Sequence, residues 1–178
     1  MKNLFAGIDN DLEWVYLISA PKWYNYNEWG VKRFMRITQE GDYALRVVTY
    51  LYKCGVGKRV EAKVISAHEN VPQRFLLKLL RKLTIAGVTA SYKGYGGGYA
   101  VEKPPEETTL RAVIEAIEGP IYVNRCFEDD ALCNAGRAKS CIMHKTLSSV
   151  QNNLLQELES INFSKVLENE RVISEIKD

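Results

Sequence analysis

The sequence predicts a mainly α protein with a small β-hairpin wing: a winged helix-turn-helix domain plus a long dimerisation helix. Three observations predict it. Three short helices with apolar periodicity follow one another between residues 39 and 86. A glycine-tipped hairpin comes directly after the third. Beyond these, residues 143–161 carry one narrow apolar stripe on an otherwise polar helix.

The chain has 178 residues, enough for one domain with a full core plus appendages. Hydrophobic residues make up 46% and charged residues 26%, which sets it apart from disordered and membrane-embedded classes. Residues 1–34 do not match the rest. They hold all three tryptophans, Trp14, Trp23 and Trp29, without a steady helical or strand period. A start codon assigned too early explains them, with Met35 as the initiator. Trp29-Gly30-Val31 must be encoded by a G-rich run where a ribosome-binding site would stand before Met35. The other reading is an aromatic arm. N-terminal sequencing of the native protein separates the two.

The winged domain is expected over 35–108. Thr38 is a good N-cap for a helix over 39–53, where Ala44, Val47, Val48 and Leu51 share one face and Gly55 and Gly57 end it. A second helix is expected over 60–68, with Val60, Val64, Ile65 and Ala67 turned inward. After an Asn70-Val71-Pro72 turn, Pro72 suits the first position of a third helix over 73–86. That helix is the most informative. Leu76, Leu79, Leu80 and Leu83 form a core stripe, and Arg74, Lys78, Arg81 and Lys82 a basic one. Gly87 stops it, and residues 88–101 read as a hairpin around the tip Lys93-Gly94-Tyr95-Gly96-Gly97-Gly98.

Pro104-Pro105 breaks the chain, and residues 109–142 are expected to hold a fourth helix and a cysteine loop. Leu110, Val113, Ile114 and Ile117 face inward on the helix, which Gly119-Pro120 closes. The long helix follows, its stripe built from Leu147, Val150, Leu154, Leu158 and Ile161. Such a stripe outside the main domain is best buried against a second copy of the chain, so a homodimer is expected through 143–165. Residues 166–178 read as a short frayed tail.

Charge divides the chain by function. Residues 36–105 hold twelve Lys and Arg against five Asp and Glu, while 106–178 hold eight against thirteen. A basic block ahead of an acidic one indicates a polyanion-binding module followed by a module with another task. An α-helix fits the major groove of double-stranded DNA. Gln73 and Arg74, at the N-terminus of the third helix, are placed to reach base edges, with Lys78 one turn further in. Arg81 and Lys82 are placed for phosphate or solvent. Lys93 and Tyr95 sit where a wing tip meets the backbone or minor groove. The competing reading is a solvated face on a winged helix that binds protein.

The soft metal ligands are concentrated in Cys126, Cys133, Cys141 and His144, spaced C-x6-C-x7-C-x2-H. No secretion signal precedes the domain and no apolar run is long enough to cross a membrane, so a cytoplasmic protein with reduced thiols is expected. Thiolates suit iron–sulfur clusters or zinc. Chelating pairs of a zinc site are normally two to four residues apart, and here only Cys141 and His144 are that close. The wider gaps suit a cluster, [2Fe–2S] or [4Fe–4S], with His144 or a carboxylate as fourth ligand. Zinc and metal-free thiols are the alternatives. Cys54 reads as a core or boundary thiol. No catalytic machinery is visible: no nucleophile has a recognisable base, and the GYGGGY run lies in a hairpin rather than between strand and helix.

The runs MRITQEGDYALR, VPQRFLLKLLRKLTIAGV, KGYGGGYAV and TTLRAVIEAIEGP resemble the Rrf-type winged-helix transcriptional regulators over Met35 to about residue 165, in particular the cluster-binding, IscR- and NsrR-like branch. The resemblance implies a dimeric bacterial transcription factor, not an enzyme, on an inverted-repeat operator, with the long helix as its dimerisation element. It also implies a cluster on the three cysteines. His144 matches the Cys-x-x-His ending of IscR-like members. Asp42 matches a position where some NsrR-like members supply a carboxylate from the partner subunit. The cysteine gaps here are wider than is usual in the family.

Overall fold

A computed structural model of the chain describes residues 37–176. The readings made for residues 1–34 and Met35 lie outside these residues.

Helix α1 spans Gln39–Cys54. The Thr38 hydroxyl accepts from Gly41 N at 3.2 Å, as an N-cap should. The Gly55 N–H closes the other end on Leu51 and Tyr52 carbonyls. Helix α2 spans Ala62–Glu69, and Asn70 ends it at φ 51°. This helix departs from expectation. Val60 precedes it in extended backbone and bridges to Tyr99, Val64 is 47% exposed and Ala67 is exposed. Pairing with the wing holds Val60 out of the helix but leaves its side chain buried, as are Ile65 and Val71, so the exposed Val64 and Ala67 are the residues that depart from the expected inward face.

Helix α3 spans Gln73–Ile85. Pro72 is its N-cap rather than its first residue, and the Pro72 carbonyl accepts from Phe75 N and Leu76 N, each at 2.9 Å. Leu76, Leu79, Leu80 and Leu83 are all fully buried. Strands β1 (Ala90–Tyr92) and β2 (Gly98–Ala100) pair antiparallel in the register Ala90↔Ala100, Ser91↔Tyr99, Tyr92↔Gly98. Helix α4 spans Leu110–Glu118, and the Thr109 hydroxyl caps it by accepting from Ala112 N at 3.2 Å. It packs most extensively against α1.

Residues 121–141 contain three single 3₁₀ turns, Arg125–Phe127, Asp130–Leu132 and Ala138–Ser140, and their one buried residue is Ala138. The first and third turns pack on helix α5, Ile142–Ser160. No residue of α5 is buried. Of the tail expected to fray over 166–178, residues 166–176 belong to a sixth helix, α6, Phe163–Ile176. Its first residue explains the difference. Phe163 is fully buried, its ring centroid 5.4 Å from that of Tyr52. Phe163 N donates to Thr108 O at 3.0 Å and Leu110 N to Ile161 O at 2.9 Å, which folds α6 back onto α1 and the turn at Pro105–Glu107. No described helix is long and apolar enough to cross a membrane.

Candidate DNA-reading face and cysteine loop

Burial of the four leucines of α3 fixes which side of the helix faces solvent. Gln73, Arg74, Lys78 and Arg81 are all exposed there. At the wing tip Lys93 and Tyr95 are exposed as well. Among the described residues Arg74, Lys78, Arg81 and Lys93 form no ion pair. The face is a set of uncompensated cations, suited to phosphate.

Two residues of α3 have places that periodicity did not give them. Lys82 turns back into the body. Its Nζ lies 2.8 Å from Glu40 Oε1 and donates to the Ile117 carbonyl at 3.2 Å. It belongs to the packing of α3 on α1 and α4 rather than to the phosphate stripe. Leu77 is 41% exposed, between Arg74 and Arg81 on the solvent side. The signal was its position one residue off the buried stripe.

The C-terminal end of α4 is tied to α3 and to α1. The Ile117 carbonyl holds Lys82 of α3. Glu118 Oε1 accepts from Thr38 N at 2.8 Å and from the Thr38 hydroxyl at 3.1 Å. A carboxylate is thereby set at the positive N-terminal end of α1. Gly41 makes room for it, since a Cβ there would lie 2.3 Å from Glu118 Oε1. The segment that leads to the first cysteine of the loop, Cys126, starts directly after Glu118.

Cys126, Cys133 and Cys141 are free and half-buried. Backbone N–H groups of Arg137 and Ala135, then of Gly136, and the Arg137 charge point toward Cys133 and hold its thiol below the usual range, against the opposing effect of burial. Cys133 also lines an open depression with Asp130, Arg137 and Lys139. His144 stands in the first turn of α5, its ring edge-on to Phe127 at 4.6 Å. The buried Nδ1 of His144 has no hydrogen-bond partner. The structure therefore brings His144 beside the Arg125–Phe127 turn that carries Cys126, but among the described residues no three of the His, Cys, Asp and Glu side chains converge on one point. Asp42 is engaged elsewhere: its Oδ2 lies 3.6 Å from an Arg46 nitrogen, and Arg46 in turn binds Glu69 at 3.2 Å. By chemistry the donors fit a soft metal group, since three thiols and one unpartnered imidazole nitrogen lie on one loop and the adjoining turn.

A sequence model of the family described as "Rrf2: Iron-dependent Transcriptional regulator" matches residues 37–169. Protein aau3 of Rhizobium meliloti is 29% identical over 125 residues, covering 70% of this chain and 80% of its own. The HTH-type transcriptional regulator IscR of Serratia proteamaculans is 26% identical over 139 residues, covering 78% and 83%. Among solved structures, T. potens IscR superposes with TM-score 0.60 at 18% identity, over 76% of this chain and 88% of its own. CymR, the global cysteine regulator of B. subtilis, superposes with TM-score 0.57 at 23% identity, over 76% and 98%. These two likenesses carry the winged-helix fold.

Proposed function

The chain belongs to the Rrf2 family of DNA-binding transcriptional regulators, and from that premise we propose that it is a homodimer whose operator affinity is set by an iron–sulfur cluster on residues 126–144. The observation that carries the DNA-reading assignment is the exposed, unpaired cationic face of α3 beside the wing. Gln73 and Arg74 read base edges in the major groove, and Lys78 and Lys93 neutralise phosphates. Tyr95 lies against the backbone or minor groove. Leu77 adds an apolar contact of the kind that suits a thymine methyl. A homodimer presents two such faces related by a two-fold axis, so its operator is an inverted repeat. The protein acts in the cytoplasm, where its thiols stay reduced.

Cys126, Cys133 and Cys141 would hold the cluster, with His144 or the partner subunit's Asp42 as fourth ligand. The unpartnered Nδ1 of His144 favours the former, and the Arg46 ion pair of Asp42 must break for the latter. A bound cluster would supply chemistry sensitive to oxidation and to nitric oxide. The chain's own residues supply the transmission. The loop begins where α4 ends, and the end of α4 holds α3 through Lys82 and α1 through Glu118. A loop that shifts Ile117 or Glu118 alters how α3 is presented. A coupling of about 1–3 kcal/mol would change operator affinity roughly 5–150-fold.

The test is anaerobic purification followed by a visible spectrum and iron and sulfide assays. Cys133→Ala should lose iron and sulfide and keep DNA binding that no longer responds to oxidant. If iron content and the DNA response both survive that substitution, the cluster reading is wrong. A second reading, a zinc- or thiol-based redox switch without iron, draws on the lowered Cys133 thiol and on the unconverged ligands. It predicts zinc or no metal in the same assay. A protein-binding adaptor, the remaining alternative, predicts no salt-dependent binding to duplex DNA.

A further inference from the structure

The connection between α1 and α2 is built into the wing. Gly57 N donates to Val101 O at 2.8 Å, Val60 N to Tyr99 O at 2.9 Å and Tyr99 N to Val60 O at 2.9 Å. This backbone runs beside β2 as a third edge. Gly98 permits the approach, since a Cβ there would lie 2.5 Å from the Val60 carbonyl oxygen. Between these bonds stand Lys58 and Arg59, both exposed. The Arg59 guanidinium lies over the Tyr92 ring, 4.0 Å from its centroid. Tyr92 is itself fixed, because its hydroxyl donates to Glu102 Oε1. Among the described residues neither Lys58 nor Arg59 forms an ion pair, with Glu102 or any other acid.

A guanidinium held over an aromatic ring still has N–H groups to offer an anion and loses less conformational freedom on binding one. Two unpaired cations anchored to the hairpin that carries Lys93 and Tyr95 are therefore a ready phosphate site. We infer that Lys58 and Arg59 form a second DNA-backbone element, with Tyr92 as the residue that positions Arg59. It binds phosphodiester on the flank of the stretch engaged by α3 and the wing tip. The inference rests on the DNA-binding reading and adds contacts that reading does not contain.

The experiment is fluorescence anisotropy with the full chain and a labelled, mixed-sequence DNA duplex over a series of KCl concentrations. Lys58→Ala and Arg59→Ala should each weaken binding roughly three- to tenfold and lower the slope of log K against log salt by about 0.9. Their thermal midpoints should stay at the wild-type value. Arg59→Lys keeps the charge, so the wild-type slope should return. Tyr92→Leu should weaken binding while leaving the slope at the wild-type value, because the cation remains but is no longer held. If wild type binds and both alanine variants match it in affinity and slope, the second element does not exist. If Arg59→Lys shows the same reduced slope as Arg59→Ala, the effect is structural and the inference is overturned. Should the variants lose binding to a polyglutamate probe but not to the duplex, the pair serves an acidic protein instead and the inference again fails. Absence of duplex binding by the wild type would remove the DNA reading itself, a different failure.

Discussion

At the residue scale, single side chains separate reading from holding. Arg74→Ala should cost about 1–3 kcal/mol against a cognate operator and relax its sequence preference, while Lys78→Ala should weaken binding to all sequences alike. Competition assays with cognate and scrambled duplexes distinguish the two. Tyr52 carries a prediction about stability. Its hydroxyl donates to the Thr108 hydroxyl at 2.7 Å inside the core, and burial raises its pKa above the ordinary 10.0. The neutral phenol is the form the folded state favours. Its contribution is thus fully present below the ordinary value and is lost as pH rises through the raised one. Denaturant melts across the alkaline range should show this loss, and Tyr52→Phe should flatten it while costing about 1 kcal/mol at neutral pH. The leucines of α3 were legible because four of them repeat at helical spacing. Leu77 was hidden inside the same run, at the edge of that stripe. Lys82 was legible as a cation, but its partners Glu40 and Ile117 lie far away in sequence.

At the element scale, caps and breakers mark α1, α3 and α4 clearly, and pairing across distance decides the rest. Val60 is pulled into a bridge with Tyr99, which no local pattern announces. α6 had a visible apolar spacing in Phe163, Val166 and Leu167, but its stability comes from Tyr52 and Thr108, more than fifty residues upstream. Phe163→Ala should cost about 3–5 kcal/mol, seen as a lower denaturation midpoint, because it empties a fully buried site shared by two helices. If α6 were an appendage the midpoint would not move. Helix α5 stands in contrast, with Ile142 73%, Met143 56% and Val150 49% exposed. On the proposed homodimer reading, placing a charge in its apolar stripe by Val150→Asp should give a monomer in sedimentation and leave the fold intact.

For the whole molecule, the sequence showed a basic reading block and an acidic block with the ligand loop, and the structure adds how they join. The candidate cysteines were legible as residues, because three of the chain's four cysteines and one of its two histidines fall within residues 126–144. Whether they meet was not legible, since convergence depends on how the loop's backbone folds, and among the described residues no three such side chains converge. The joint itself is short. Glu118 ends α4, accepts from the Thr38 N-cap of α1 and is followed by residues 119–125, which lead to Cys126. On the proposed cluster-binding reading, Glu118→Ala should therefore leave operator binding and the cluster in place while weakening the influence of one on the other, measured as the ratio of operator affinities with reduced and oxidised protein. Such a joint has no preferred direction. By thermodynamic reciprocity, whatever factor the loop imposes on operator affinity the operator must impose on the loop's ligand. With the proposed cluster in the loop, promoter occupancy would then govern how firmly the chain keeps it. A saturating operator duplex should change the loop's affinity for its ligand by that same factor in an equilibrium chelator competition, and a scrambled duplex should not.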